Sequence, residues 1–460
     1  MKPREKSVGW QKISQRQVFV YGNALVRVGV AFYFFLLPVV SVVRMLADPG
    51  LRTGDVPRFA FDWHRQLSTD YAVWARERVA EGAAANLSLN NISGTEWPVF
   101  SSVFYLWATE SLQEAWDEDP TLAPVMPKEN AEEAIDAAAA LISDPNHANW
   151  VKLHWGEDYL HQENIFYRML LISGLTSYQK LTDNDQYEPL LRDQVETLAQ
   201  EIDASPYGLL DDYPGQCYPI DILPAIAAIQ RADPVLGTDH SAFVVRALRG
   251  FTDTRLDPHT DLPAYIANAN TGLGYGPARG VGISYMLIWA PELWPETAQQ
   301  WYSRYEQLFW QESWLITGVR EFAREQPYPA WFLDVDAGPV VAGYGTAATA
   351  FGLGATRVNG RMDQAYPLSA EALLVVWPLP NGTLLGPRLL SNLSDAPYVG
   401  EAALLFSLTR RPQTANITPA TSSLPGIVYL GLALYTGIGL LLLSSAIRFV
   451  HRKRYISKTK

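Results

Sequence analysis

Six junctions of similar chemistry recur along the 460-residue chain at nearly constant spacing. Each leads from a polar, aromatic, often Gly- or Pro-containing loop into a run of small or apolar residues. They are Glu96-Trp97-Pro98, Gly156-Glu157-Asp158, Gln216-Cys217-Tyr218-Pro219, Ala278-Arg279-Gly280, Asp334-Val335-Asp336-Ala337-Gly338-Pro339 and Tyr398-Val399-Gly400-Glu401. From Trp97 through Glu157, Cys217, Arg279 and Asp336 to Gly400 the steps are 60, 60, 62, 57 and 64 residues. A unit of that length holds two helices and two loops, a hairpin that cannot bury its apolar face alone and must stack on its neighbours. Six units that close on themselves give an all-α (α/α)6 toroid of six helical hairpins; six that do not close give an irregular solenoid. In the closed form each junction precedes an inner helix and all six gather at one mouth. The unpaired helix N–H groups there favour anionic or hydroxyl-rich ligands.

Helical periodicity supports the all-α expectation. It predicts helices at Ala131–Ile142, Asn164–Leu181, Tyr187–Ile202, Ile222–Arg231, Ser241–Phe251, Ile283–Ala290, Pro295–Trp310 and Val340–Val358, with few alternating strand patterns.

The two ends of the chain carry a different signal. Gly426 to Ile447 has no charge and is followed by Arg448, Arg452, Lys453 and Arg454, long enough to cross a bilayer and closed by a basic stop. Val18 to Val43 is apolar except for Arg27, whose long side chain can snorkel toward headgroups, and it follows Lys2, Arg4, Lys6, Lys12 and Arg16. No small-x-small cleavage site follows Val43, so an uncleaved anchor is expected. The resulting organisation is a basic cytoplasmic tail (1–17), a transmembrane helix (18–46), an exoplasmic domain (47–423), a second transmembrane helix (424–447) and a second basic tail (448–460). The central domain is then periplasmic, extracellular or lumenal. A buried core helix near the N-terminus of a cytoplasmic domain is the competing reading.

Charge narrows the function classes. Outside the two ends, residues 51–447 hold 23 bases and 46 acids, a net −23, which argues against a nucleic-acid partner. One cysteine, Cys217, excludes an internal disulfide and any Cys-cluster metal site. Asn-x-Ser/Thr sequons at Asn86, Asn91, Asn381, Asn392 and Asn416 are acceptors only along a eukaryotic secretory route.

The junctions supply the chemical candidates. If His154-Trp155-Gly156-Glu157-Asp158-Tyr159-Leu160-His161 is helical, both histidines share a face with an acid, but the order differs from a metalloprotease motif and Gly156 suggests a bend. Glu157 or Asp158 is expected as a general acid or base, or as an acid complementing the helix N-terminus. Cys217 is a candidate nucleophile, with burial as a small apolar residue the commoner outcome. Asp221, four residues on, is expected to face the ring interior. Arg279, among Gly274, Gly276 and Gly280, is placed to fork onto a carboxylate, sulfate or phosphate, or to form a structural ion pair. Asp334 and Asp336 diverge at i, i+2, with Asp336 expected as a helix N-cap or as one acid of a glycosidase-type pair completed by Glu157 or Asp221. Trp97, Trp155, Tyr218, Tyr285, Trp289 and Trp331 offer stacking faces for a sugar or an isoprenoid, or belong to the core.

The chain resembles the (α/α)6 toroid enzymes, the six-hairpin glycosidases and sugar epimerases. Locally, Glu163-Asn164-Ile165-Phe166-Tyr167-Arg168 leading into Gly174 to Thr182, and Cys217-Tyr218-Pro219-Ile220-Asp221 leading into Pro224-Ala225-Ile226, resemble the linalool dehydratase/isomerase-like group. That group's two cysteines and helix histidine are replaced by one cysteine and Tyr167-Arg168, so its reaction does not transfer. The expectation is a membrane-anchored, outward-facing toroid enzyme. It acts on a glycan or polysaccharide by acid/base hydrolysis, lyase cleavage or epimerisation, with no cofactor or metal. The alternatives are a hydratase or isomerase of small lipophilic alcohols and a non-catalytic glycan-binding or envelope scaffold protein. The partners expected are that substrate and the membrane; the oligomeric state is not legible.

Overall fold

The computed structural model describes residues 15–88, 91–420 and 423–458. The tail expectations for residues 1–14 and 459–460 lie outside the described residues. The fold is predominantly helical with a few small antiparallel sheets.

In chain order, α1 (Gln15–Ala31) passes through a π turn (Phe32–Leu36) into α2 (Leu37–Leu46). The π turn precedes Pro38, which has no N–H to continue the regular ladder. Next come α3 (Arg58–Ala80), α4 (Ile92–Glu118), α5 (Glu132–Ser143), α6 (Ile165–Thr182), α7 (Glu188–Ala204), α8 (Pro219–Leu236) and α9 (Ser241–Ala247). They are followed by α10 (Gly280–Leu293), α11 (Pro295–Phe309), α12 (Thr346–Val358), α13 (Met362–Val375), α14 (Leu385–Ser391), α15 (Val399–Thr409) and α16 (Gly426–Lys458). Between α11 and α12, β1 (Trp310–Glu312) pairs with β2 (Thr317–Val319), and β3 (Trp331–Asp334), β4 (Gly338–Val341) and β5 (Tyr344–Gly345) form a three-stranded meander.

Most predicted helices lie within a few residues of these bounds. The exception is Val340–Val358: residues 340–345 are strand and turn, and the helix begins at Thr346. Gly343 at φ +86° reverses the chain between β4 and β5, a conformation that interrupts a helix. At the C-terminus the helix continues past Ile447 to Lys458, as expected where Arg and Lys, good helix formers, follow the apolar run.

Six helices occupy the centre. Helix α4 packs on α6, α6 on α8, α8 on α10, α10 on α12 and α12 on α15, and α15 returns to pack on α4. Their composition suits that place: α10 (GVGISYMLIWAPEL) is buried almost all round. By contrast, the neighbouring α11 buries only Ala298, Trp301, Tyr302, Tyr305 and Phe309, the i, i+3, i+4 stripe of a helix with one face in water. The first turns of the central helices are linked by side-chain contacts at one end and the last turns at the other, so they run in the same sense. Between the ends the axis is filled with aromatic rings. Phe104 packs on Phe406 (5.0 Å between centroids) and Phe351 (6.0 Å), while Trp107 packs on Trp289 (4.6 Å) and Phe406 (5.1 Å). This plug separates two polar mouths.

Two helical stretches, Val18–Leu46 and Gly426–Arg452, are long and apolar enough to cross a membrane. They pack on each other, and Arg27 donates to Ser445 Oγ (2.5 Å) with its guanidinium over the Phe449 ring (4.9 Å).

Candidate functional site

The mouth formed by the N-terminal ends of the central helices collects acids and tyrosines from several elements. Glu96 stands in the second turn of α4, with Phe100 four residues on along the same face. Tyr213, from the loop before α8, donates its hydroxyl to Glu96 Oε1 at 2.5 Å. Burial and the nearby Asp336 outweigh that bond and push the Glu96 carboxyl up to about 7. Asp221, in the first turn of α8, is held well above the ordinary carboxylate range by burial, then by Asp336 and Glu96. Asp336 sits in the β3–β4 turn and accepts from Tyr265 Oη at 2.7 Å. Behind Asp221, Asp212 is buried and raised in turn by burial and by Asp221; one of its oxygens accepts the Tyr218 N–H at 2.8 Å. Tyr285, buried beneath, has a hydroxyl with no hydrogen-bond partner and feels the charge of Asp221. Carboxyl groups crowded together with few cations cannot all ionise, so protons are retained at neutral pH.

A second cluster adjoins it. Arg279 bonds Glu321 Oε1 (2.7 Å) and Asp334 Oδ1 (2.9 Å), reaches within 3.8 Å of Asp336, and lies over the Tyr265 ring at 4.6 Å. Glu321 is fully buried, and burial outweighs Arg279 to place its carboxyl at about 7. Asp334 is held below its usual value because the Ala337 N–H and Arg279 outweigh burial. Gly280 makes this corner possible: its N–H donates to Glu321 O at 2.8 Å, and a Cβ there would run into the Arg320 carbonyl.

Each residue expected from the sequence has a definite place. Asp221, Asp336, Tyr218, Arg279 and Tyr285 belong to this mouth. Asp336 does not cap a helix: it lies in the hairpin turn, and the helix start falls at Thr346, preceded by Gly345. Asp334 and Asp336 do not diverge, because the turn curls both toward Arg279. Glu157 and Asp158 are exposed and stand outside the acid group. The short helix Asn149–Trp155 ends where Gly156 takes φ +86°, so His154 to His161 do not form one continuous helix, and Asp158 pairs with His161 at 3.0 Å. Trp155 donates to Asp212 O at 3.2 Å, at the edge of the site. Trp97 is half-buried and one residue round the helix from Glu96. Trp331 is exposed on the outer face of β3. Cys217 is fully buried, and burial followed by Asp212 and other carboxylates pushes its thiol far up, so it stays protonated.

Tyr265 and Glu321 were not singled out from the sequence; Glu96, Asp212 and Tyr213 stand in or beside the recurring junctions, with no role expected of them. A signal for Glu96 exists: Glu96, Phe100, Phe104 and Trp107 share one helical face, an acid followed by axial aromatics. Among the described residues, no three His, Cys, Asp or Glu side chains converge closely enough to hold a metal ion.

The opposite mouth is electrostatically different. A cavity of about 380 Å³ there is lined by Arg231, Glu292, Arg410 and Arg411 among others. Glu110 is fully committed beside it, bonded to Lys180 (2.7 Å), Arg231 (2.9 Å) and Ser177 (2.5 Å). Burial would raise its carboxyl, but Arg231 and Lys180 prevail and hold it at about 2. Such an acid is a structural anion. Glu292 in the same cavity is raised by burial, against the pull of Arg231 and Arg410, while at the first mouth Glu96 and Glu321 both stand at about 7 with Asp212 and Asp221 raised beside them.

No protein-family model matches the chain, and no curated protein matches it in sequence.

Proposed function

We propose that the chain is a membrane-anchored (α/α)6 toroid of six helical hairpins that performs acid/base chemistry on a hydroxyl-rich substrate, a glycan or its conjugate. In this reading the central domain lies outside the cytoplasm and both termini inside. The observation that carries it is the group Glu96, Asp221 and Asp336, drawn from three separate elements, with Glu96 and Asp336 each accepting a tyrosine hydroxyl. Burial raises two of these acids, Glu96 to about 7 and Asp221 well above the ordinary carboxylate range. Asp221 or Glu96 serves as proton donor to a leaving oxygen, and Asp336, the most exposed of the three, as the base or nucleophile. Tyr213 and Tyr265 fix the orientation of their carboxyl partners. Arg279 balances the local negative charge, and Tyr218 and Trp155 offer aromatic walls.

The test is turnover of a glycan panel by the full chain in nanodiscs. Activity with a bell-shaped pH profile, lowered at least 100-fold in Asp221→Asn and Asp336→Asn, is expected. An active enzyme indifferent to both changes sinks the acid/base assignment.

The second reading, a hydratase or isomerase of lipophilic alcohols, is favoured by the aromatic floor formed by Phe100, Phe166 and Tyr285. It would run on carboxyl chemistry rather than on Cys217, whose thiol is buried among acids.

A further inference from the structure

We infer that the acid-lined mouth lies against the lipid surface, so that what enters it is the polar head of an amphiphile resident in the bilayer. The inference rests on the membrane-anchored reading above, and adds an orientation and a substrate class to it.

The argument begins with α13. Its first residue, Met362, donates to Thr418 O beside the far mouth, where Ile417 lines the Arg410 cavity. Its last turn leads through Trp377 into α14 and on to the first turn of α15, at the acid mouth. The terminal helices pack along this same helix. Tyr366 Oη donates to Leu46 O at 3.2 Å, and one residue from the end of α13 Leu374 O accepts from Tyr435 Oη at 3.2 Å. Beyond the end, Trp377 Nε1 donates to Phe34 O at 2.6 Å, with its ring 5.6 Å from Phe35 and 5.0 Å from Tyr435. Moving from Leu46 down to Phe34, into the apolar span, is therefore moving toward the acid mouth. Beyond Trp377 roughly 17 residues of the first span (18–34) and 18 of the second (435–452) remain, about 26 Å of helix against a hydrocarbon core of about 30 Å. To be spanned, the bilayer must reach up to the level of that end of the domain.

The surface at that end is suited to the contact. On β3, Asp334 turns inward to Arg279 while Trp331 and Leu333 point out, 69% and 80% exposed. On and after α14, Arg388 turns inward to Glu401 while Leu390 and Leu393 are 70% and 87% exposed. Toward the far mouth the exposed large apolar side chains include Val125 and Ile417, with Val245 next to Val244, whose carbonyl accepts from Trp294 past the end of α10; these are single side chains on separate segments. An apolar rim of Trp and Leu around an acid site, continuous with two apolar helices, matches a lipid interface. The aromatic plug blocks passage along the axis from the far mouth, so the acids are approached from the rim side.

The buried Cys217 leaves the full chain suited to single-site labelling. Leu333→Cys, Leu393→Cys, Val125→Cys, Ile417→Cys and Leu440→Cys variants are labelled with an environment-sensitive fluorophore and reconstituted in phosphatidylcholine nanodiscs. Quenching is read with a quencher attached to the lipid chains and with aqueous iodide. Severalfold stronger lipid quenching at 333 and 393 than at 125 and 417, with 440 quenched as well, is expected. Quenching by lipid at 440 alone, with 333 and 393 open to iodide, overturns the inference and leaves the membrane anchor standing. Labels at 333 and 393 shielded from both quenchers show a second copy or a protein partner on the rim, and also overturn it. A label at 440 open to iodide removes the anchor and the inference with it.

Discussion

Replacing Glu96 by Gln changes how stability depends on pH, and the structure gives both sign and size. Gln keeps a carbonyl oxygen to accept the Tyr213 hydroxyl, so the substitution mimics the protonated acid without removing the 2.5 Å bond. In the folded chain the Glu96 carboxyl is raised from 4.5 to about 7, by burial first and then by Asp336. A raised acid contributes fully below its unfolded value and loses that contribution as pH climbs through the folded one, because the folded state holds one more proton in between. Stability therefore falls by about 1.4 kcal/mol per pH unit over that window, in total about 3 kcal/mol. For a domain this large, that corresponds to a melting shift of about 3–4 °C. The assay is thermal melting of the two proteins in the same detergent from pH 4.5 to 8. Wild type should lose stability as pH rises, and Glu96→Gln should lose less, by an amount that grows to the figure above. Parallel curves across the whole range would refute the claim that Glu96 keeps a proton in the folded chain.

Glu110 provides the opposite case. Its carboxyl is held at about 2 against 4.5, so its contribution is present above the unfolded value and lost as pH falls toward the folded one; Glu110→Gln should lower stability at pH 7 by about 3 kcal/mol and flatten the acid limb, read by urea melts. Trp107, 3% exposed and packed on Trp289 and Phe406, should cost about 3–5 kcal/mol when replaced by Ala, and an unchanged midpoint would argue against the axial plug. Arg357 is buried and donates to Arg410 O (2.8 Å), Gly54 O (3.1 Å) and Asp55 O (2.7 Å), tying the segment after α2 to α12; Arg357→Met should cost roughly 3 kcal/mol by chemical denaturation. Cys217 should resist iodoacetamide at pH 8 until the chain is unfolded, as mass spectrometry of intact and denatured samples would report; prompt native labelling contradicts its burial.

Periodicity alone determined much about this protein. The 3.6-residue pattern placed most of the helices, because a helix that buries one face or all of them declares it in the order of its own residues. The apolar runs at the ends were equally plain, since length and lack of charge are properties of the segment itself. Of the six recurring junctions, those at Cys217, Arg279 and Asp336 contribute Asp221, Arg279 and Asp336 to the acid mouth, whereas the one at Glu96-Trp97-Pro98, expected as a loop, lies inside α4, and Glu157 stands outside the acid group. Long-range geometry decided the rest. Glu157 stands at the matching point of the recurrence yet faces water, because Gly156 ends the short helix before it and α6 does not begin until Ile165. Glu96 lies one residue from the chosen Trp97, and only the direction of the helix axis separates a side chain aimed at the centre from one aimed aside. The strands at 338–345 replaced a predicted helical turn because they pair with β3 and with each other, partners that a local pattern does not contain. Protonation at the acid mouth was settled last of all: it depends on the distance between carboxyls contributed by residues 96, 221 and 336, and burial and Coulomb interactions act through space rather than along the chain.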